Sequence, residues 1–223
     1  MVACLEFTGK LVKGFIEEEE LERSNEELRG LVDVLLEKGI LCRGKGGLTV
    51  LDRIALVEFL LSHGFTVENL ASLLTWRDFE AFSEEVFTKH GYSSLRNFRF
   101  SQGKRRFEVD LLALKKPLLL CVECKHYRRP RTTMLSKQII ERHMERVKAL
   151  AESMPSLTLD LGVSGWGRVK VLPLIITLTQ EGMYRRVPIV PVFKLNAFLL
   201  ELDLNMGLIC SLEAETSNYL KLK

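Results

Sequence analysis

No stretch of this 223-residue sequence stays apolar for the roughly 18 residues of a membrane span, and the opening MVACLEFTGK lacks a basic segment followed by an apolar run of leader length. Both absences predict a cytoplasmic protein with no membrane partner. Cysteine is scarce, five residues with no framework spacing, which argues against a disulfide scaffold and suits a reducing compartment. Asn and Gln together number only nine, as in thermostable proteins. Cys121 and Cys124 form a C-x-x-C with no second pair to complete a zinc site, and none of the four histidines forms H-E-x-x-H. The run from Gly39 to Lys45 has the spacing of a phosphate loop, but Gly46 stands where Ser or Thr would bind magnesium, and a helical pattern precedes it.

The composition, 47% hydrophobic and 27% charged, is that of a globular protein with an ordinary core. The length suits one large domain with a small extension. A formal charge of +3 looks too small to mark a polyanionic partner, but it conceals a gradient. Residues 1–75 hold 8 Lys/Arg against 13 Asp/Glu, whereas 96–148 hold 15 against 5, a net of +10. A concentration of one sign in mid-chain points to nucleic acid or acidic lipid.

The capping pair Ser24 and Glu27, with Leu28, Leu31, Val32, Leu35 and Leu36 at helical spacing, predicts a helix over 25–38 that Gly39 stops. A short hairpin follows around Arg43–Gly47, then helices from Ile54 and from a Thr66 cap. A winged-helix arrangement and a small helical bundle both fit residues 1–74. From a Thr75 cap, Trp76, Phe79, Phe82, Val86 and Phe87 form one apolar helical stripe ending at Gly91. Strands are predicted at 95–100, 107–114 and 118–125, a long helix at 133–153, strands at 169–179 and 187–193, and a last helix at 196–204. Pro173, Pro188 and Pro191 belong at strand ends, edges or bulges.

Asp110 lies inside the second of these strands. Glu123 and Lys125 lie at the end of the third, two apart and so on one face. The twelve residues between the acids allow them to sit side by side on adjacent strands. Leu118–Val122 is apolar on both faces, so charge at the end of that strand costs several kcal/mol unless it is paired or binds a metal. A hard divalent ion would use one or two carboxylates with water and phosphate, and a lysine beside it could contact a phosphate oxygen. A surface Glu123–Lys125 pair with Asp110 capping a turn is the plain structural alternative.

With the acidic helix ending at Gly91-Tyr92, with Asp110, and with Glu123-Cys124-Lys125, the sequence resembles the PD-(D/E)xK nucleases, in particular Mrr-like restriction endonucleases and archaeal Holliday-junction resolvases. The resemblance runs from Trp76 to Phe198. Val109 departs from the proline in the family's motif. The resemblance implies an α/β fold with a restriction-endonuclease-like core, a mixed sheet flanked by helices over 75–223, behind the small N-terminal helical domain. It implies a metal-dependent endodeoxyribonuclease with Mg²⁺ or Mn²⁺ on Asp110 and Glu123, Lys125 as catalytic lysine, and Glu80 as a further ligand or water-orienting carboxylate. Gln138 resembles a glutamine that some members place near the metal. A structure-selective junction resolvase and an inactive DNA-binding module of the same fold remain open.

Arg99, Lys104, Arg105, Arg106, Arg128, Arg129 and Arg131 flank the candidate site and are expected to bind DNA phosphates. The interleaved Phe98, Phe100 and Phe107 are expected in the core more than as stacking platforms. The acidic N-terminal domain is expected to dock a protein, form a homodimer or cover the site rather than grip DNA.

Overall fold

The computed structural model describes residues 9–12, 15–17, 19–20, 23–72, 74–125 and 137–217. They group into two compact units, 1–85 and 86–223. The division falls inside the helix predicted from Thr75.

In the first unit, a helical turn at 9–12 leads to β1 (Phe15–Glu17), α1 (Glu26–Glu37), the hairpin β2 (Leu41–Gly44) and β3 (Gly47–Val50), α2 (Arg53–Ser62) and α3 (Val67–Ser72). β1 joins the hairpin in a three-stranded sheet of order β1-β3-β2. The cap of α1 is Asn25, whose side chain accepts the Leu28 N–H at 2.9 Å, one residue later than the Ser24 expected. Gly44–Gly47 forms the hairpin tip, as the flawed phosphate-loop spacing suggested. Gly47 must be glycine: a Cβ there would lie 1.9 Å from the Ile16 carbonyl oxygen on β1.

Helix α4 (Trp76–Lys89) opens on a reciprocal cap: the Asp78 N–H donates to Thr75 Oγ1, and the Thr75 N–H to Asp78 Oδ2. Phe79, Phe82, Val86 and Phe87 are buried as the stripe predicts, but Trp76, at the N-terminal end of the stripe, is 42% exposed. Gly91, at φ 76°, ends the helix.

The second unit continues with β4 (Ser93–Gln102), β5 (Arg105–Lys115), β6 (Leu118–Lys125), α5 (Lys137–Leu157), β7 (Arg168–Thr177), β8 (Gly182–Tyr184), β9 (Val187–Pro191), the short helices α6 (Leu195–Leu200) and α7 (Leu202–Asn205), and β10 (Leu212–Glu215). Its mixed seven-stranded sheet has the order β4-β5-β6-β7-β9-β8, with β10 paired to β7. The first three strands are antiparallel neighbours, and β6 pairs in parallel with β7 across the α5 crossover. This is the α/β core expected, a mixed sheet flanked by helices.

Pro173 lies mid-strand in β7 rather than at an end. Beside it, β10 pairs only as far as Val171 and β9 begins at Ile175, so the proline sits where the ladder on that side has a gap. The long apolar side of α5, with Val147, Leu150, Met154 and Leu157, packs on Leu112, Leu114, Leu119, Cys121, Val169 and Val171. Among the described residues no helix is long and apolar enough to cross a membrane.

Leu150 is fully buried in this seam. Leu150→Ala is therefore expected to cost about 2–5 kcal/mol of unfolding free energy by lost transfer and cavity formation. Denaturant titration of the two proteins measures it; a loss under about 1 kcal/mol would mean that α5 does not pack on the sheet as described.

Candidate functional site

The site begins where the pairing of β5 with β6 stops. Their register runs from Lys115↔Leu118 to Leu111↔Val122 and ends there, so Asp110 and Glu123 are the next residues on each strand. β5 also changes face at this point. Val109 and Leu112, three apart, both belong to the buried cluster under α5, whereas a regular strand would turn them to opposite faces. On the neighbouring strand Asn97, at φ 48°, is skipped in the pairing between Arg96↔Leu111 and Phe98↔Val109. The register is the same on both sides of this point, so no residue is inserted: Asn97 and Asp110 face each other across the two strands and are left out of the pairing. Asp110 Oδ2 accepts the Cys124 N–H at 2.8 Å, so the side chain takes over a backbone donor of β6 just where the ladder ends.

Glu123 is 3% exposed. Its Oε1 lies 2.5 Å from Lys125 Nζ, as expected of neighbours on one strand face, and its Oε2 accepts from the Arg146 guanidinium on α5. His143, one helical turn earlier, faces the same oxygen at 3.9 Å. The imidazole is 1% exposed, and neither ring nitrogen has a hydrogen-bond partner among the described residues.

Burial works against the Glu123 carboxylate, but Lys125 and Arg146 outweigh it and hold its pKa below the ordinary value. Burial, then the Glu123 charge, raises Asp110. Burial also drives His143 down to about 4, so the ring is neutral at pH 7. Burial pushes the Cys121 thiol far above its usual range, which removes it as a thiolate ligand.

Among the described residues no three His, Cys, Asp or Glu side chains converge into a ready-made metal cage. Two adjacent carboxylates without a thiolate nevertheless suit a hard ion that fills its shell with water and phosphate oxygens.

The other candidates are spread out. Arg99, Lys104, Arg105 and Arg106 are exposed on the β4–β5 hairpin beyond Asp110, with Arg99 paired to Glu108 at 2.9 Å and Arg105 to Glu145 at 3.3 Å. Phe100 is buried and stacks between Phe98 and Phe107, so these rings line the core, as expected. Gln138 is exposed in the first turn of α5. Glu80 is half-buried on α4 and belongs to the first unit. Arg128, Arg129 and Arg131 lie outside the described residues.

Sequence reasoning missed Arg146 and His143. Their i, i+3 spacing on a helix that follows the Glu-x-Lys strand was the available signal; a buried carboxylate in need of a cation would have given it meaning.

Residues 71–156 match the family model Mrr_cat, described as a restriction endonuclease. The matched segment holds β5, both acids, Lys125 and Arg146. That segment is similar to the catalytic domain of Mrr-type restriction endonucleases. An uncharacterised protein of Archaeoglobus fulgidus is 26% identical over 133 residues, 58% of this chain and 92% of the relative. Among solved structures, a protein of unknown function shares 20% identity over 44% of this chain and 45% of its own, with a TM-score of 0.26. A Vibrio cholerae protein shares 13% over 92% of this chain and 51% of its own, with a TM-score of 0.32. The chain thus spans about half the length of these solved proteins.

The raised Asp110 pKa in the Mrr-like domain has a consequence for stability. The folded chain binds this proton more tightly than the unfolded chain, so the ionised carboxylate opposes folding above the raised pKa, and that cost disappears as pH falls toward 3.8. Asp110→Asn keeps an oxygen for the Cys124 N–H. It is expected to stabilise the metal-free protein at pH 7, with the gain shrinking as pH falls through the raised pKa. Denaturant titrations across that range measure it; a net loss at pH 7 would contradict the electrostatics described.

Proposed function

We propose that this protein is a divalent-metal-dependent endodeoxyribonuclease that hydrolyses DNA phosphodiester bonds through Asp110, Glu123 and Lys125. The observation that carries the reading is the pair of carboxylates with a lysine at the end of an otherwise apolar central strand, inside a segment similar to a restriction endonuclease domain. Burying that group costs too much to be an accident of packing, and a surface ion pair does not describe a carboxylate with 3% exposure. Mg²⁺ or Mn²⁺ on the two acids would stabilise charge developing on the phosphoryl oxygens and activate water.

The chain's own residues do the rest. Asp110, tied to the Cys124 N–H, presents its remaining oxygen in a fixed direction. Lys125, 22% exposed at the strand end, can exchange its contact with Glu123 for a phosphate oxygen and stabilise the transition-state charge. Arg106, Lys104 and the arginines around them supply contacts to the backbone on one side of the scissile bond, which makes binding salt-dependent and weakly sequence-selective. The acidic balance of residues 1–75 suits the first unit to docking a protein or a second copy rather than DNA.

A cleavage assay on linear, branched and single-stranded DNA with Mg²⁺ or Mn²⁺ tests this. Asp110→Ala and Lys125→Ala are each expected to lower the rate by about a hundredfold or more while leaving DNA affinity within a fewfold. Undiminished cleavage by both variants would remove these residues from the chemistry. Cleavage confined to four-way junctions would make the enzyme a resolvase, and full DNA affinity without cleavage under any condition would make it a binding module.

A further inference from the structure

Glu123 offers two oxygens to a metal, and both are already held by cations of this chain. Lys125 sits at Oε1 and Arg146 at Oε2, and the buried His143 ring lies 3.9 Å from Oε2 on the α5 side. The charged side chains that meet here are two carboxylates, Asp110 and Glu123, and two cations, Lys125 and Arg146. Their sum is zero.

A neutral cluster has no net attraction for an ion of charge +2, and Arg146 holds one of the oxygens that ion would need. Lys125 belongs to the strand and to the chemistry proposed above. Arg146 reaches in from a separate element, α5, and its side chain is 25% exposed, so it can turn toward solvent or substrate.

We propose that Arg146 is a resident counter-cation that competes with the divalent ion for Glu123, so that the ion binds tightly only when a DNA phosphate is present. The inference rests on the metal-dependent reading above and adds the condition under which the ion is taken up. A phosphate oxygen offers Arg146 a second anion of suitable geometry, because a guanidinium fork pairs with phosphate as readily as with carboxylate. It also restores negative charge as the ion enters. Arg146 is a positioning residue in this scheme, and its effect is on metal affinity before chemistry begins.

The test is Mn²⁺ binding to the full chain, read from the electron paramagnetic resonance signal of the free ion. It is measured without DNA and with a short duplex whose phosphorothioate linkages resist hydrolysis. In the wild type, the duplex is expected to tighten Mn²⁺ binding by about tenfold or more. Arg146→Gln is expected to tighten DNA-free binding by about tenfold and to show much less gain from DNA, while Arg146→Lys stays near wild type.

Arg146→Gln that folds, by near-ultraviolet circular dichroism, yet binds Mn²⁺ no more tightly without DNA overturns the proposal. If that variant does not fold, the wild type decides: Mn²⁺ held as tightly without DNA as with it overturns the proposal. Saturable Mn²⁺ binding that Asp110→Asn abolishes, but that ignores both DNA and Arg146, sinks this inference alone. No Mn²⁺ bound in any arm sinks the metal-dependent reading and this inference with it.

Discussion

A carboxylate that is 3% exposed cannot be left uncompensated, and much of the second unit is arranged around that requirement at Glu123. The strand that carries it is apolar from Leu118 to Val122 and is flanked by an antiparallel neighbour on one side and a parallel one on the other. Such a strand excludes water from its middle and carries its charged residues at its C-terminal end. Lys125 answers the charge from the same strand, two residues on; Arg146 answers it from the crossover helix that the parallel pairing demands. The apolar seam of Val147, Leu150 and Met154 sets the depth and rotation of that helix, so core packing and site electrostatics are coupled. A loosened seam would move Arg146 before it moved either acid.

The second constraint is the end of the β5–β6 ladder. Asp110 reaches the site because the strand changes face between Val109 and Leu112 and the Asp110 carboxylate substitutes for a lost backbone partner of Cys124. Burial first, and then the neighbouring Glu123 charge, raises the cost of ionising Asp110, whereas Lys125 and Arg146 keep Glu123 ionised.

What could be read in advance follows physical range. The strands at Leu95, Phe107 and Leu118 announced themselves by alternation and by Gly and Pro turns, and Glu123 with Lys125 by a local spacing of two. Asp110 was legible because only a turn separates its strand from theirs. The short strands β1, β8 and β10 were not, since three or four residues carry no period, and β1 and β10 gain strand geometry only from partners distant in sequence. Arg146 and His143 looked like ordinary helix residues because their roles depend on which strand the helix covers. Asn25 displaced Ser24 as the cap by one residue, a choice between two good capping side chains that local sequence does not resolve. Which of an end, an edge or a bulge Pro173 would occupy was not legible, because the gap between β10 and β9 exists only in the assembled sheet.

The central claim is that Asp110 and Glu123 share one divalent ion at the end of β6. A crystal of the protein grown with duplex DNA and Mn²⁺, with diffraction recorded at the manganese absorption edge, tests it most directly. The expected result is an anomalous peak within coordination distance of one oxygen from each carboxylate, with a phosphate oxygen in the same shell. A peak elsewhere in the domain, or a well-ordered complex whose two carboxylates lie too far apart to touch one ion, would contradict it.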